Sequence, residues 1–356
     1  MDETLARYNK THIHEEQTAA IPLRYAGPLT MHGDAQAQEL QVPLATYESP
    51  LWPSVERGFR VTAKSGGIHV RHKGQMMTRS IVLQAPDAIQ ADDAAVAIET
   101  MDLTPAIQSA SRYAEFRECR TETLGEKIYV RLGMSTGDAA GHNMATIVAH
   151  AVMKHILAER GELRYLAISG NLCTDKKTSA VNALYGRGHS VIARAHIPER
   201  ECRRMLRSAP QDLRELHIAK NLQGSILAGS LRSANAHVGN MLLALYLATG
   251  QDGVNIIEGT QAMTEIALSH NGGVEISCHL PNIIMGTIGN GKDCAHVRQA
   301  LEVTGCMPVR GNPGAASARL AMIAGATCLA GELSLLAAQV NEDELVESHT
   351  RLERRA

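Results

Sequence analysis

Between residues 81 and 168 the spacing of apolar residues switches repeatedly between the two-residue period of strands and the 3.6-residue period of helices. Ile81, Val82 and Leu83 form a short apolar run ended by Pro86, which reads as a strand. A helical stretch follows over residues 92–112, with Asp92 as its N-cap and a break near Pro105. Residues 115–121 and 127–134 read as two strands joined by a turn at Gly125. Residues 138–159 return to helical spacing, with a stripe through Met144, Ile147, Val148, Ala151, Val152 and Ile156. A strand over residues 163–168 closes the series.

This βαββαβ order is that of a ferredoxin-like split unit. It predicts an α+β protein in which a compact small domain, residues 81–169, is inserted into a large α/β domain made of residues 1–80 and 170–340. In the large domain the clearest helices are 236–249, stopped by Gly250, and 317–338, entered through Asn312-Pro313-Gly314. The apolar stretch 320–340 is interrupted by Glu332 and reads as a buried core helix. No run reaches the roughly 18 apolar residues of a membrane span. Residues 341–356 are highly charged and are expected to form a tail that is mobile unless something docks it, a flap that carries His349.

Composition narrows the class. Apolar residues make up 44% and charged residues 20% of the chain, which fits a globular protein with a sizeable core. Aromatics are only 3%, so that core must be built from Ala, Leu, Ile, Val and Met. A net charge of −2 offers no bulk basic field for nucleic acid or an anionic membrane. The seven cysteines contain no Cys-x-x-Cys pair and are odd in number, which points to reduced thiols in a cytoplasm. The sixteen histidines lack clustered partner ligands, so no metal site is expected. The N-terminus shows no signal peptide.

Several segments carry candidate chemistry. Asp175-Lys176-Lys177 follows a strand and Gly170. A lysine held there beside an aspartate can stabilise an oxyanion formed when hydride arrives; on its own the cluster fits a surface turn with a salt bridge better. Glu48 sits among small and apolar neighbours in Ala45-Thr46-Tyr47-Glu48, where a raised pKa would make it an acid near neutral pH. Asp252 follows the Gly250 stop, at the unfavourable end of a helix dipole, as a turn residue or a held acid. His349 lies in the charged tail. Gly137–Asn143 and Gly286–Gly291 are glycine-rich loops that can approach a phosphate closely, each weak alone.

Read jointly, the pieces resemble the 3-hydroxy-3-methylglutaryl-coenzyme A (HMG-CoA) reductases. The likeness runs from about residue 22 to residue 354. It is densest in Gly170-Asn171-Leu172-Cys173-Thr174-Asp175-Lys176-Lys177, Lys220-Asn221-Leu222-Gln223-Gly224-Ser225, Asn235-Ala236-His237, Ala248-Thr249-Gly250-Gln251-Asp252 and Ala330-Gly331-Glu332-Leu333-Ser334-Leu335. The Thr-Asp-Lys-Lys form resembles the class I branch. The resemblance implies reduction of HMG-CoA by NADPH, through a hemithioacetal and mevaldehyde, to mevalonate and CoA, a step of isoprenoid synthesis. It implies a catalytic set of Glu48, Lys176, Asp252 and His349, with His349 protonating the departing thiolate. It implies substrate contacts from Arg79, Ser169, Asp175, Lys177, Lys220, His237 and Asn240. Cofactor contacts would come from Asp138, Ala139, Gly141, Asn143, Gly289 and Gly291, with Arg354 on the 2′-phosphate of NADP. It further implies a homodimer or higher homo-oligomer in which the Lys176 loop reaches the partner's site.

The chain departs from the family pattern at Glu15-Glu16-Gln17-Thr18-Ala19, at Ser49, at Pro53, which interrupts a helix-like run, at Arg232-Ser233 in place of two glycines, at Ala140 and at Asn290. These departures keep open a related acyl-CoA as substrate or an NAD-linked degradative enzyme. A CoA- or nucleotide-binding relative without catalysis is the non-enzymatic alternative.

Overall fold

The computed structural model describes residues 19–33 and 37–353. The departure at residues 15–18 and the candidate Arg354 lie outside them. The described chain is α+β, built on a large sheet in the strand order β2-β1-β3-β7-β9-β8. These strands are β1 (Leu23–His32), β2 (Gln38–Ala45), β3 (Ile68–Gln84), β7 (Gly188–Ile197), β8 (Met263–Leu268) and β9 (Val274–Ile283). All neighbours are antiparallel except β1 and β3. β4 (Glu115–Leu124), β5 (Lys127–Ser135) and β6 (Arg164–Ile168) branch off it, in the order β4-β5-β3-β6, all antiparallel.

β3 therefore serves both arms. Its residues 69–76 pair with β7, with a register shift between His72 and Gly74, where φ of Gly74 is +145°, and residues 77–84 pair with β5. The expected boundary at residue 80 falls inside this continuous strand. A hydrophobic pattern cannot mark a boundary that a strand crosses without ending. Each arm has its own core, one around Met77, Ile81, Leu83, Ile128, Val130 and Val148, the other around Phe59, Ile68, Val191 and Leu329.

Helix α1 (Leu51–Lys64) buries Trp52, Val55 and Phe59. Pro53 does not interrupt it, because it stands in the first turn, where no intrahelical partner awaits its missing N–H. Gly58 of α1 meets the central helix so closely that a Cβ would lie 2.1 Å from the Ala330 carbonyl oxygen. In the small arm α2 (Ala88–Thr100) is capped by Asp87, whose side chain accepts from the Gln90 N–H at 2.8 Å. The expected cap, Asp92, accepts instead from the Thr123 hydroxyl. α3 (Thr104–Ala110) starts afresh at Pro105.

α4 (His142–Glu159) begins four residues later than its pattern predicts, behind a left-handed Gly141. Its buried face runs through Ala145, Val148, Ala149, Val152, Met153 and Ile156, while Ile147 is exposed. α5 (Val238–Ala248) and α6 (Ala315–Val340) match expectation closely. α6 is long and apolar enough to cross a membrane, contrary to the expectation that no segment is. It is nevertheless the core helix of the large arm, with 89% of its most apolar window buried in protein. Within the charged tail, residues Glu344–Glu353 form a further helix, α7. Glu344 docks it by bridging Arg57 and, at 2.9 Å, Arg207.

Candidate active site: two cavities on one chain

The loop from Asn171 to Lys176 holds three non-glycine residues in left-handed backbone, Asn171, Thr174 and Lys176, at φ between +53° and +61°. For the β-branched Thr174 this is a true outlier, and such strain persists only when the surroundings over-determine it. They do. Asn182, fully buried, bonds both the hydroxyl and the carbonyl of Thr174. The Lys176 N–H donates to Glu258 Oε1 at 3.1 Å. Arg187, also fully buried, grips Glu258 at 3.3 Å, the Asp175 carboxylate, and both oxygens of Thr78. One side chain thus fixes Asp175 directly and the Lys176 backbone through Glu258.

From that base the Lys176 ammonium reaches Asp252, with Nζ 2.7 Å from Oδ2. The hydrogen bond from Lys176 outweighs partial burial and, with the Val254 N–H, holds the Asp252 carboxyl below its usual range. Asp175 lines a cleft with Lys176, and its carboxylate is already engaged by side chains of this chain. It faces Arg187, Arg79 at 3.4 Å and His142 at 3.7 Å. Burial opposes its charge, but Arg187, His142 and Arg79 prevail and depress its pKa. His142 is pushed below its ordinary value by burial, with Arg187, Lys176 and Arg79 adding to the effect against Asp175. Sequence reasoning passed over His142 although it stands inside the first glycine loop.

Removing Arg187 strands two carboxylates, one of them, Glu258, fully buried. Arg187→Met is expected to cost about 3–5 kcal/mol of stability. Urea unfolding checks this, and a loss under about 1 kcal/mol would contradict the assigned role.

The two glycine loops, separate and weak in the sequence, lie side by side. Ala139 and Ile288 form a parallel bridge, and the Thr287 N–H donates to the Asp138 carbonyl at 2.8 Å. A Cβ on Gly286 would sit 2.3 Å from the Ala140 nitrogen, so only glycine permits the approach. Together with Lys176 and Asp252, they wall a cleft of about 580 Å³ at the N-terminus of α4, lined by Ala139, Gly141, Asn143, Gly289 and Arg79 among others. Asp138 does not face it. Its carboxylate caps α6 through the Ser317 N–H at 2.9 Å. Gly291 packs on Gly250 rather than lining the cleft. Lys177 is exposed and donates to the Asp175 carbonyl, and Ser169 accepts from Cys173 and the Asn171 N–H. These two and Lys220 line neither this cleft nor the cavity described next.

That second cavity, of about 260 Å³, holds Glu48, His237 and His349, with Arg57 and Arg60 on its wall. Asn240 donates to Glu48 Oε2 at 2.8 Å. The buried Glu332 fixes this corner, accepting the N–H groups of Ala236 and His237, each at 2.7 Å, and the Thr264 hydroxyl at 2.8 Å. His237 Nε2 donates to the Gly331 carbonyl at 2.9 Å. The glutamate that interrupts the apolar run is therefore the anchor of α5. Arg57 and Arg60 were missed by sequence reasoning; their three-residue spacing on the polar face of α1 was the available signal. One chain thus places Lys176 and Asp252 in one cavity and Glu48 and His349 in another.

A lysine over a glycine-walled cleft, and an acid and a histidine beside two arginines, equip an enzyme that reduces or adds to carbonyl groups of anionic substrates. The model of the hydroxymethylglutaryl-coenzyme A reductase family matches residues 15–354. The 3-hydroxy-3-methylglutaryl-coenzyme A reductase of Pyrococcus horikoshii is 38% identical over 337 residues, covering 94% of this chain and 81% of that protein. The Aeropyrum pernix reductase is 34% identical, covering 94% and 79%. The Xenopus laevis reductase is 36% identical, covering 92% of this chain and 38% of that longer protein. Among solved structures, the class II reductase of Streptococcus pneumoniae bound to NADPH in open conformations aligns with a TM-score of 0.73 at 19% identity, covering 95% of this chain and 80% of that one. The chain belongs to the hydroxymethylglutaryl-coenzyme A reductase family, whose curated members are oxidoreductases.

Proposed function

We propose that this protein is an NADPH-dependent HMG-CoA reductase, working as a homodimer in the cytoplasm and making mevalonate. The observation that carries the reading is the division of the chemical residues between two cavities of one chain. A second copy can bring Glu48 and His349 of one protomer to Lys176 and Asp252 of its partner. The class I-like assignment rests on Thr174-Asp175-Lys176-Lys177 and stays with the sequence, since likeness to the class II structure at 19% identity speaks only to fold. The free state of all seven cysteines among the described residues fits a reducing compartment.

The small arm reads as a ferredoxin-like, cofactor-binding domain inserted after residue 80, within β3. The dinucleotide fits the cleft by an observation on the backbone. The Gly141 turn opens an 18-residue helix toward it, and the site of a Cβ on Gly289 has nothing within 4 Å. Ala139, Gly141, Asn143 and Gly289 would hold it, with Arg354 on the 2′-phosphate. When bound, the cofactor supplies hydride. The chain's own residues then manage charge and protons. Lys176 stabilises the oxyanion formed at the reduced carbonyl, Asp252 keeps that ammonium in place, and Glu48 delivers the proton. Arg79, at the cleft wall, takes the free carboxylate of the acyl group. Arg57 and Arg60 suit the phosphates of CoA, next to His349, which protonates the released thiolate.

The direct test mixes protein, NADPH and HMG-CoA and follows nicotinamide absorbance. Oxidation of two NADPH per mevalonate formed is expected; none, with a folded dimer, contradicts the reading. His349→Ala should reduce HMG-CoA turnover by about 10²-fold and spare reduction of added mevaldehyde, where no thiolate leaves. Equal losses on both substrates would rule out thiolate protonation.

A further inference from the structure

We propose that Lys292 is a positioning residue for this reaction: its ammonium ties the segment carrying Asp252 to the Gly286–Gly291 loop, so that the Lys176–Asp252 pair and the cofactor cradle share one rigid wall. The proposal rests on the function given above. Lys292 Nζ donates to the Thr249 carbonyl at 2.9 Å and to the Gly250 carbonyl. These carbonyls close the C-terminal end of α5, where the helix dipole favours a cation. Asp252 follows two residues later.

The same two segments are joined twice more. The Gln251 side chain donates to the Gly286 carbonyl at 2.9 Å and accepts from the Gly286 N–H at 2.9 Å. Gly250 and Gly291, at φ +62° and +82°, touch so closely that a Cβ on Gly250 would lie 2.7 Å from the Gly291 oxygen. The loop needs such ties because it is a thin partition. Ile288, Gly289, Asn290 and Lys292 line both the 580 Å³ cleft and a neighbouring cavity of about 660 Å³. With space on both sides, side-chain packing does little to hold it.

Lys292 forms no salt bridge among the described residues. The charged groups lining the cavities on its two sides are Arg79, His142, Asp175, Lys176 and Asp252 in the cleft, and Asp293, Arg298 and Glu302 beyond the loop. Burial lowers its pKa to about 8. The charge-assisted clasp is thus present below pH 8 and weakens above it, as the ammonium loses its proton.

Two variants test this. Lys292→Met should lower kcat by about 10–100-fold for HMG-CoA and mevaldehyde alike, because both reductions use Lys176 and Asp252, while KM for NADPH changes less than about threefold. Lys292→Arg should retain activity at pH 7.5 and move the alkaline limb of the parent's kcat profile upward by more than about one pH unit, since a guanidinium does not titrate there. A limb unchanged in Lys292→Arg, a kcat within about twofold of the parent in folded Lys292→Met, or a loss confined to KM for NADPH would each overturn the proposal. If Lys292→Met does not fold, the arginine profile decides alone. If the parent turns over no HMG-CoA, the proposed function fails separately. The clasp is then read by amide hydrogen exchange, expected to quicken about tenfold or more at residues 250–254 and 286–291 in Lys292→Met; unchanged exchange overturns it.

Discussion

Lys176→Ala is expected to lower kcat by about a thousandfold on both HMG-CoA and mevaldehyde. Each reduction places negative charge on a carbonyl oxygen, and Lys176 is the cation that the strained 171–176 loop delivers into the cleft, 2.7 Å from Asp252. The neighbouring lysine cannot substitute. Lys177 Nζ is drawn back to the Asp175 carbonyl and lines no part of the cleft. The loop should keep its shape without the ammonium, because Glu258 binds the Lys176 backbone and Arg187 holds Asp175, neither through the lysine side chain. Steady-state kinetics on both substrates, with unfolding curves as control, separate chemistry from folding. A loss below about tenfold would show that the oxyanion is stabilised elsewhere.

Glu48→Gln is expected to cost about 10²–10³-fold in kcat, again on both substrates. The amide keeps the carboxylate's shape and can still accept from Asn240, so α5 and the buried Glu332 anchor stay in place. What is lost is the acidic proton. His349→Ala differs in sparing mevaldehyde, so comparing the two variants on that substrate distinguishes the alkoxide's proton donor from the thiolate's. Full activity of Glu48→Gln would remove Glu48 from the chemistry.

The small arm was legible in the sequence because its signals are local. Turn residues such as Gly125 and the switch between two periods survive without tertiary context. Where a side chain's partner is remote, the reading failed. Asp138 stands at the start of a helical pattern, yet it caps a helix 179 residues further along the chain. Asp175 reads as a substrate contact, and the sequence does not show that its carboxylate is also held by a buried arginine just before β7. Glu332 marks an interruption in an apolar run until three donors from two other elements converge on it. Arg232 shows the same limit. The resemblance puts a glycine there, and the Arg232 backbone has φ +52°, a left-handed conformation that costs a non-glycine residue about 1–2 kcal/mol. The tail's charges left its docking open, and the sequence does not show that Glu344 meets two arginines.

Lys176 and Glu48 line separate cavities of the chain, and the proposal that a homodimer unites them is the central claim. It is tested most directly by assembling mixed dimers from two inactive variants, Glu48→Gln and Lys176→Ala, carrying different tags. Random pairing puts one of each in half of the dimers, and each such dimer has one complete site out of two, so about a quarter of the parent activity should return. Purified mixed dimers no more active than either variant alone would contradict it, because every site would then lie within a single chain and carry one of the two defects.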